Sequence, residues 1–254
     1  MLKLLRRLLL VLLVLASAVG VAAWTCPAEL GYRYFGDRIA PVKLHGISGS
    51  VWHGHADSAE LLGQNLGELD WRLRPSSLLQ GAALAHVVLA GGDVVGNGTI
   101  EQTADRQLVL HDVEAQLPAR IAAPMIDVPL LQLLGTIEIR LAHARLRGYT
   151  IADAHGVAFW RNAGVAGAAQ ARLSDLQFTF ATATEGQVSG TVQDLGGPLL
   201  ASGAFSANAM RYDAKLKLAP RDNNAQVAEA LQFVGQPQPD GSRELLIEGR
   251  LLGF

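Results

Sequence analysis

Residues 44–81 read LHGISGSVWHGHADSAELLGQNLGELDWRLRPSSLLQG, and the close of this stretch decides the fold. Leu69, Trp71 and Leu73 recur at every second position, with Asp70, Arg72 and Arg74 between them, the pattern of a strand with one buried face. Trp71, at the centre of that apolar row, is expected in the core. Pro75 ends the strand, and residues 76–79 have room for one helical turn closed by Gly81. Upstream, Gly46, Gly49 and Gly54 frame Val51 and Trp52 so closely that a bulge or tight strand bend is expected there, not a helix.

Downstream the same grammar repeats. Apolar runs at 82–90, 94–102 and 108–117 are separated by glycine or polar turns, which spells a β-meander. Pro118, Pro124 and Pro129 break the next stretch, so residues 119–134 read as a crossover between two halves, with short helical turns around Ala122 and Leu131. Strands resume at Thr136, where Ile137, Ile139 and Leu141 alternate with Glu138 and Arg140, and continue through 157–160, 176–180, 187–194 and 212–218. Gly91-Gly92 with Gly98, echoed by Gly196-Gly197 with Gly203, is too short an echo to establish an internal repeat. Asn223 is placed to cap a helix carrying Val227, Leu231 and Val234 at helical spacing, ended by Gly235. Residues 244–252 form the last strand, with Leu245, Ile247 and Leu251 on one face and Glu248 and Arg250 on the other.

At the other end, Lys3, Arg6 and Arg7 precede an uncharged run over residues 8–24. That is a membrane signal, short for a bilayer span, with an Ala-x-Ala site at Ala16 and Ala18 that would suit signal peptidase. The apolar run continues past Ala18 to Trp24 without a polar break, so a retained signal anchor is the reading taken, with the positive flank cytoplasmic and the rest of the chain outside the cytoplasm. The organisation expected is a cytoplasmic tip over 1–7, an anchor over 8–24, a linker over 25–43 and a β-domain over 44–254. Cys26 follows Ala-Trp-Thr, too bulky for a lipidation site, and as the single cysteine it forms no disulfide within the chain.

Chemistry is sparse. The net charge is -2 with scattered basic residues, which argues against nucleic acid. His45, His53 and His55 outline a metal site only in imagination, because no further ligand stands at the required spacing except Asp57. Asp93, Glu101 and Asp105 sit at turns and polar strand faces, where carboxylates are solvated. No nucleophile elbow, dinucleotide fingerprint or phosphate loop occurs, so neither a catalytic residue nor a cofactor is expected. Trp52, Trp71 and Trp160 read as packing units.

The Gly-x-Val-Trp-x-Gly element (Gly49, Trp52, Gly54), followed by Leu-x-Trp-x-Leu-x-Pro-x-x-Leu-Leu-x-Gly (Leu69, Trp71, Leu73, Pro75, Gly81), resembles the protein N family of the type II secretion system. The resemblance implies a non-enzymatic inner-membrane protein whose periplasmic domain contacts other secretion components, either inner-membrane platform proteins or the secretin. The fold expected is mainly β: an antiparallel, strongly twisted meander or open half-barrel with one or two short helices, preceded by a transmembrane helix. Its partners would meet it at sheet edges, around residues 44–52 or 244–252. An alternative from a different class is an anchored groove protein of the AsmA type, whose twisted apolar sheet shelters lipid or another hydrophobic ligand.

Overall fold

The computed structural model describes residues 24–36, 42–61, 64–105, 107–125, 130–147, 150–208 and 210–250. The apolar run over 8–24 lies outside these residues, apart from Trp24, and so do Leu251 and Leu252. Fifteen strands form one sheet. The first half holds β1 (Val42–Gly49), β2 (His53–Leu61), β3 (Gln64–Leu73), β4 (Ala83–Ala90), β5 (Val95–Gln102), β6 (Leu108–Pro118) and β7 (Leu131–Arg147). The second holds β8 (Thr150–Gly167), β9 (Ala171–Arg172), β10 (Leu176–Thr184), β11 (Gln187–Asp194), β12 (Leu199–Asn208), β13 (Arg211–Pro220), β14 (Gln236–Pro237) and β15 (Arg243–Arg250). Among the described residues three short α-helices accompany them: α1 (Ala28–Phe35), α2 (Pro75–Leu78) and α3 (Ala225–Leu231).

The strands pair antiparallel in sequence order from β1 to β13, with β9 set aside on β8, and the path ends β13-β15-β14. The sheet is therefore open. Its register explains why alternating sequence produces it. Directly opposed partners run Ile47, Ala56, Leu69, Leu89, Gly96, Ala115, Ile139, Ala158, Phe178, Val192, Gly203, Leu216 and Leu245, an unbroken row of apolar residues and glycine. A one-residue slip anywhere would turn that row outward, so burial of one face fixes every register. Several bulges accompany it. At two of them Asp112 and Asn162 take positive φ, +48° and +50°, conformations that Asp and Asn tolerate, and the β5–β6 and β7–β8 ladders step past them so that apolar residues keep facing inward.

Cover is unequal along the sheet. In the second half α3 lies on the apolar face, and Val227, Ala230 and Leu231 join Leu131, Leu133, Leu199, Ala201 and Leu218 in the main core. In the first three strands the fully buried residues are small, Gly54, Ala56 and Ala59.

Several expectations need correcting. Trp71 is half-buried instead of a core residue, because among the described residues no helix covers its part of the face. Residues 50–52 are the turn of the β1–β2 hairpin, where Ser50 N–H donates to His53 O at 2.9 Å, and not a bulge within one strand. Residues 119–125 form a 3-10 turn, but Leu131 opens β7, which starts five residues before Thr136. No crossover exists there, since β6 pairs directly with β7. The helix cap is Asn224, whose Oδ1 accepts from Val227 N–H at 3.1 Å, with Asn223 left-handed just before it. Residues 28–35, inside the stretch read as a linker, form helix α1 against β1, where Tyr32 OH accepts from Leu44 N–H at 3.1 Å.

Candidate functional site

The motif residues meet at one corner of the sheet. Gly49 ends β1 with φ +81° opposite Gly54, and a Cβ on Gly49 would come within 2.5 Å of His53 O. Gly54 lies beneath the Trp71 indole, where a Cβ would stand 2.1 Å from the ring, so the strand approach depends on glycine. Trp71 Nε1 donates to Val51 O at 3.1 Å, tying β3 to the hairpin turn. Leu73 N–H donates to Trp52 O at 2.8 Å, and Trp52 stacks on Trp24 with centroids 6.2 Å apart. Leu69 follows on the same apolar face. Pro75 takes the first position of α2, where its missing N–H costs nothing, and Gly81, φ +76°, turns the chain into β4. Trp71→Ala should thus lower stability by about 2–3 kcal/mol, less than full burial would imply, and Trp71→Phe by about 1 kcal/mol for the lost hydrogen bond. Urea denaturation of both variants reads the difference.

The two sheet edges are unlike. The β1 edge is blunted: Tyr32 takes the Leu44 N–H, and Pro27 bridges to Ser50. Along β15 the two-residue β14 pairs only with Arg243 and Glu244, so among the described residues the strand has no outer neighbour from Leu245 onward. Leu246 on that strand is 57% exposed.

The apolar face and α3 line a cavity of about 470 Å³ that is open to solvent on one side. Leu133, Trp160, Phe178, Phe205, Leu216 and Ile247 are among its lining residues, so strands as far apart as β7 and β15 face one space and the sheet curves between them. Phe178 and Phe205 meet edge to face at 6.5 Å. A polar knot not foreseen from the sequence positions α3 over this space. Asp194 accepts from Gly196 N–H and Ala201 N–H at 3.1 Å each and pairs with Arg221, which opens the turn leading into α3. Burial pushes the Asp194 carboxyl upward, but the Ala201 N–H, Arg221 and the Gly196 N–H together outweigh it and leave its pKa below the usual carboxylate value. Past the far end of α3, Arg243 donates to Gln232 O at the helix C-cap and to Val234 O in the turn that follows, at 2.9 Å each. Asp-x-Gly at 194–196 is a turn signal in the sequence, whereas the Arg221 partner, far along the chain, is not.

On the outer face the register lines up His53, Arg72, His86, Thr99, His111, His143 and His155 across seven strands, gathering five of the seven histidines. His111 and His143 rings lie 5.5 Å apart, with Glu101 3.0 Å from the first and Asp153 3.6 Å from the second. His55, by contrast, pairs with Asp70 at 3.0 Å, and that hydrogen bond raises its pKa. His45 lies 3.7 Å from Glu60. Among the described residues no group of three or more His, Cys, Asp or Glu is arranged to hold a metal ion. Asp93 pairs with Arg120 at 2.5 Å, and Asp105 accepts from Thr103 and Gln107, so these carboxylates are engaged locally.

Comparison with known proteins agrees with the motif. A family model described as type II secretion system (T2SS), protein N, matches residues 40–245. The type II secretion system protein N of Vibrio cholerae serotype O1 is 30% identical over 128 residues, covering 47% of this chain and 48% of the relative. The chain thus spans about half the length of the curated relative it matches. No solved structure matches.

Proposed function

The chain belongs to the protein N family of the type II secretion system, and from that premise we propose that it is a non-enzymatic component of the secretion machinery, held in the inner membrane by residues 8–24, whose periplasmic β-domain docks other components at an open sheet edge. The proposed partners are inner-membrane platform proteins or the secretin. The observation that carries the docking mode is the contrast between the edges: β1 is covered by α1, while β15 beyond Glu244 offers main-chain donors and acceptors to an incoming strand.

The test uses two neighbours. Along a strand successive N–H groups point to opposite sides, so one of Leu246 and Ile247 donates toward β13 and the other outward. Of Leu246→Pro and Ile247→Pro, the variant that keeps the parental circular dichroism is the one whose N–H faced outward, and it should lose at least about tenfold in pull-down of secretion components. Charge reversal at exposed Glu248 should matter less. Parental binding by the folded Pro variant would end docking at this edge.

A second reading, a trough for lipid or another hydrophobic ligand, is supported by the cavity of about 470 Å³ and by none of the comparisons. That volume falls within the roughly 300–1,000 Å³ of small-ligand sites. Protein purified after extensive detergent exchange should then yield about one extractable lipid per chain by mass spectrometry. An empty extract removes this reading.

A further inference from the structure

We propose that the corner built from α1, the β1–β2 turn and α2 rests on the surface of the bilayer from which the chain emerges, with Trp24, Tyr34, Leu78 and Leu79 at the level of the lipid headgroups. The inference rests on the reading of residues 8–24 as a membrane anchor.

Attachment comes first. Val51 N–H donates to Cys26 O at 3.0 Å, Pro27 bridges to Ser50, Trp24 stacks on Trp52, and Gly31 fits so closely against Val51 that a Cβ there would come within 2.7 Å of its Cγ2. No free tether separates the domain from residue 24. A helix that crosses the membrane and ends at Trp24 leaves that indole in an interfacial layer only about 5–7 Å deep on each side of the hydrocarbon, and whatever stacks on Trp24 is held beside that layer.

Exposure is the second observation. Leu79 is 91% exposed and Tyr34 82%, the two highest values among the large apolar residues described, and Trp24 is 63% exposed, below Met210 at 73% and level with Leu130. All three stand at this corner: Trp24 and Tyr34 flank and belong to α1, and Leu79 is the residue after α2. Such a group in water alone is unfavourable, whereas Trp and Tyr are the residues that favour the boundary between headgroups and acyl chains.

Charge is the third. Arg33, Arg72 and Arg74 are exposed here and Glu29 is the acidic residue of α1, so the corner presents guanidinium groups to anionic lipid. A protein partner would be served by the apolar group as well, but the main-chain attachment to residue 24 holds this surface at the membrane whether or not a partner is present.

The test uses the full chain carrying Cys26→Ser, with Leu79→Cys labelled by an environment-sensitive fluorophore and Gln193→Cys, at an exposed position of β11, as the control. Both are reconstituted in vesicles of phosphatidylethanolamine and phosphatidylglycerol, with and without lipids bearing a nitroxide near the headgroup. The position-79 probe should emit at shorter wavelength than the control and be quenched at least about threefold more strongly. Protein that floats with the vesicles while its position-79 probe stays as water-exposed as position 193 overturns the inference and leaves the anchor standing. Shielding of position 79 that develops only when a secretion partner is added overturns it likewise. Protein that does not float removes the anchor, and the inference with it.

Discussion

Val227→Asp should destabilise the domain by about 4 kcal/mol or more and abolish its cooperative thermal transition, because it places a carboxylate where no charge has a partner. Val227 is 0% exposed, on the face of α3 that packs onto the sheet beside Leu199, Leu218 and Leu231. The smaller change Val227→Ala, which only empties space, should cost about 2 kcal/mol. The pair separates two readings of α3. If it is the lid on the apolar core, the aspartate variant exposes that core and binds a hydrophobic dye at temperatures where the alanine variant does not. A parental melting temperature for Val227→Asp would mean that the helix lifts off at little cost.

Asp194→Ala should cost about 3 kcal/mol, since it strips Arg221 of its carboxylate and leaves the Gly196 and Ala201 N–H groups without an acceptor. The Asp194 side chain is only 15% exposed, so water cannot fully replace what is lost. Asp194→Asn keeps an acceptor oxygen and should cost less than the alanine change. The pH dependence follows from the depressed pKa of this carboxyl. A group whose pKa is lower folded than unfolded stabilises the fold above its unfolded value, near 3.8, and that contribution fades as pH falls through the folded value. The gap in melting temperature between parent and Asp194→Asn should therefore be full at neutral pH and narrow on acidification below about pH 4. A gap that does not change with pH would assign the effect to packing.

What the sequence made legible is what depends on near neighbours. The alternation at Leu69, Trp71 and Leu73 is a local pattern, and it named a real strand, its inward face and its end at Pro75. The chain around Leu131 misled for a physical reason. The prolines upstream signal broken backbone, and Leu134 beside Gly135, which takes φ +97°, blurs the apolar alternation in the sequence, so a 17-residue strand looked like a helical turn followed by a later strand. The depth of Trp71 was not readable, because burial depends on whether a distant element covers the face, and α3 covers the other half. Asp194 escaped notice for the same reason, its partner lying 27 residues further on. The edges were legible as the first and last strands, but their inequality was not, since it depends on α1, which lacks an apolar stripe long enough to declare itself. As for the membrane, among the described residues no helix is long and apolar enough to cross it.

The unbroken order of strand pairing has a consequence for how the molecule is made. In most large sheets some strand must wait for a partner much later in the chain, and that wait slows folding and leaves sticky edges exposed. Here each strand on the main path up to β13 meets a predecessor already laid down, so the sheet can lengthen one hairpin at a time as the chain is synthesised from its N-terminus. The growing apolar face is the cost of this arrangement. It stays uncovered until α3, only some twenty residues before the end of the described chain, swings onto it, so an element made after thirteen of the fifteen strands is the one that covers the apolar face.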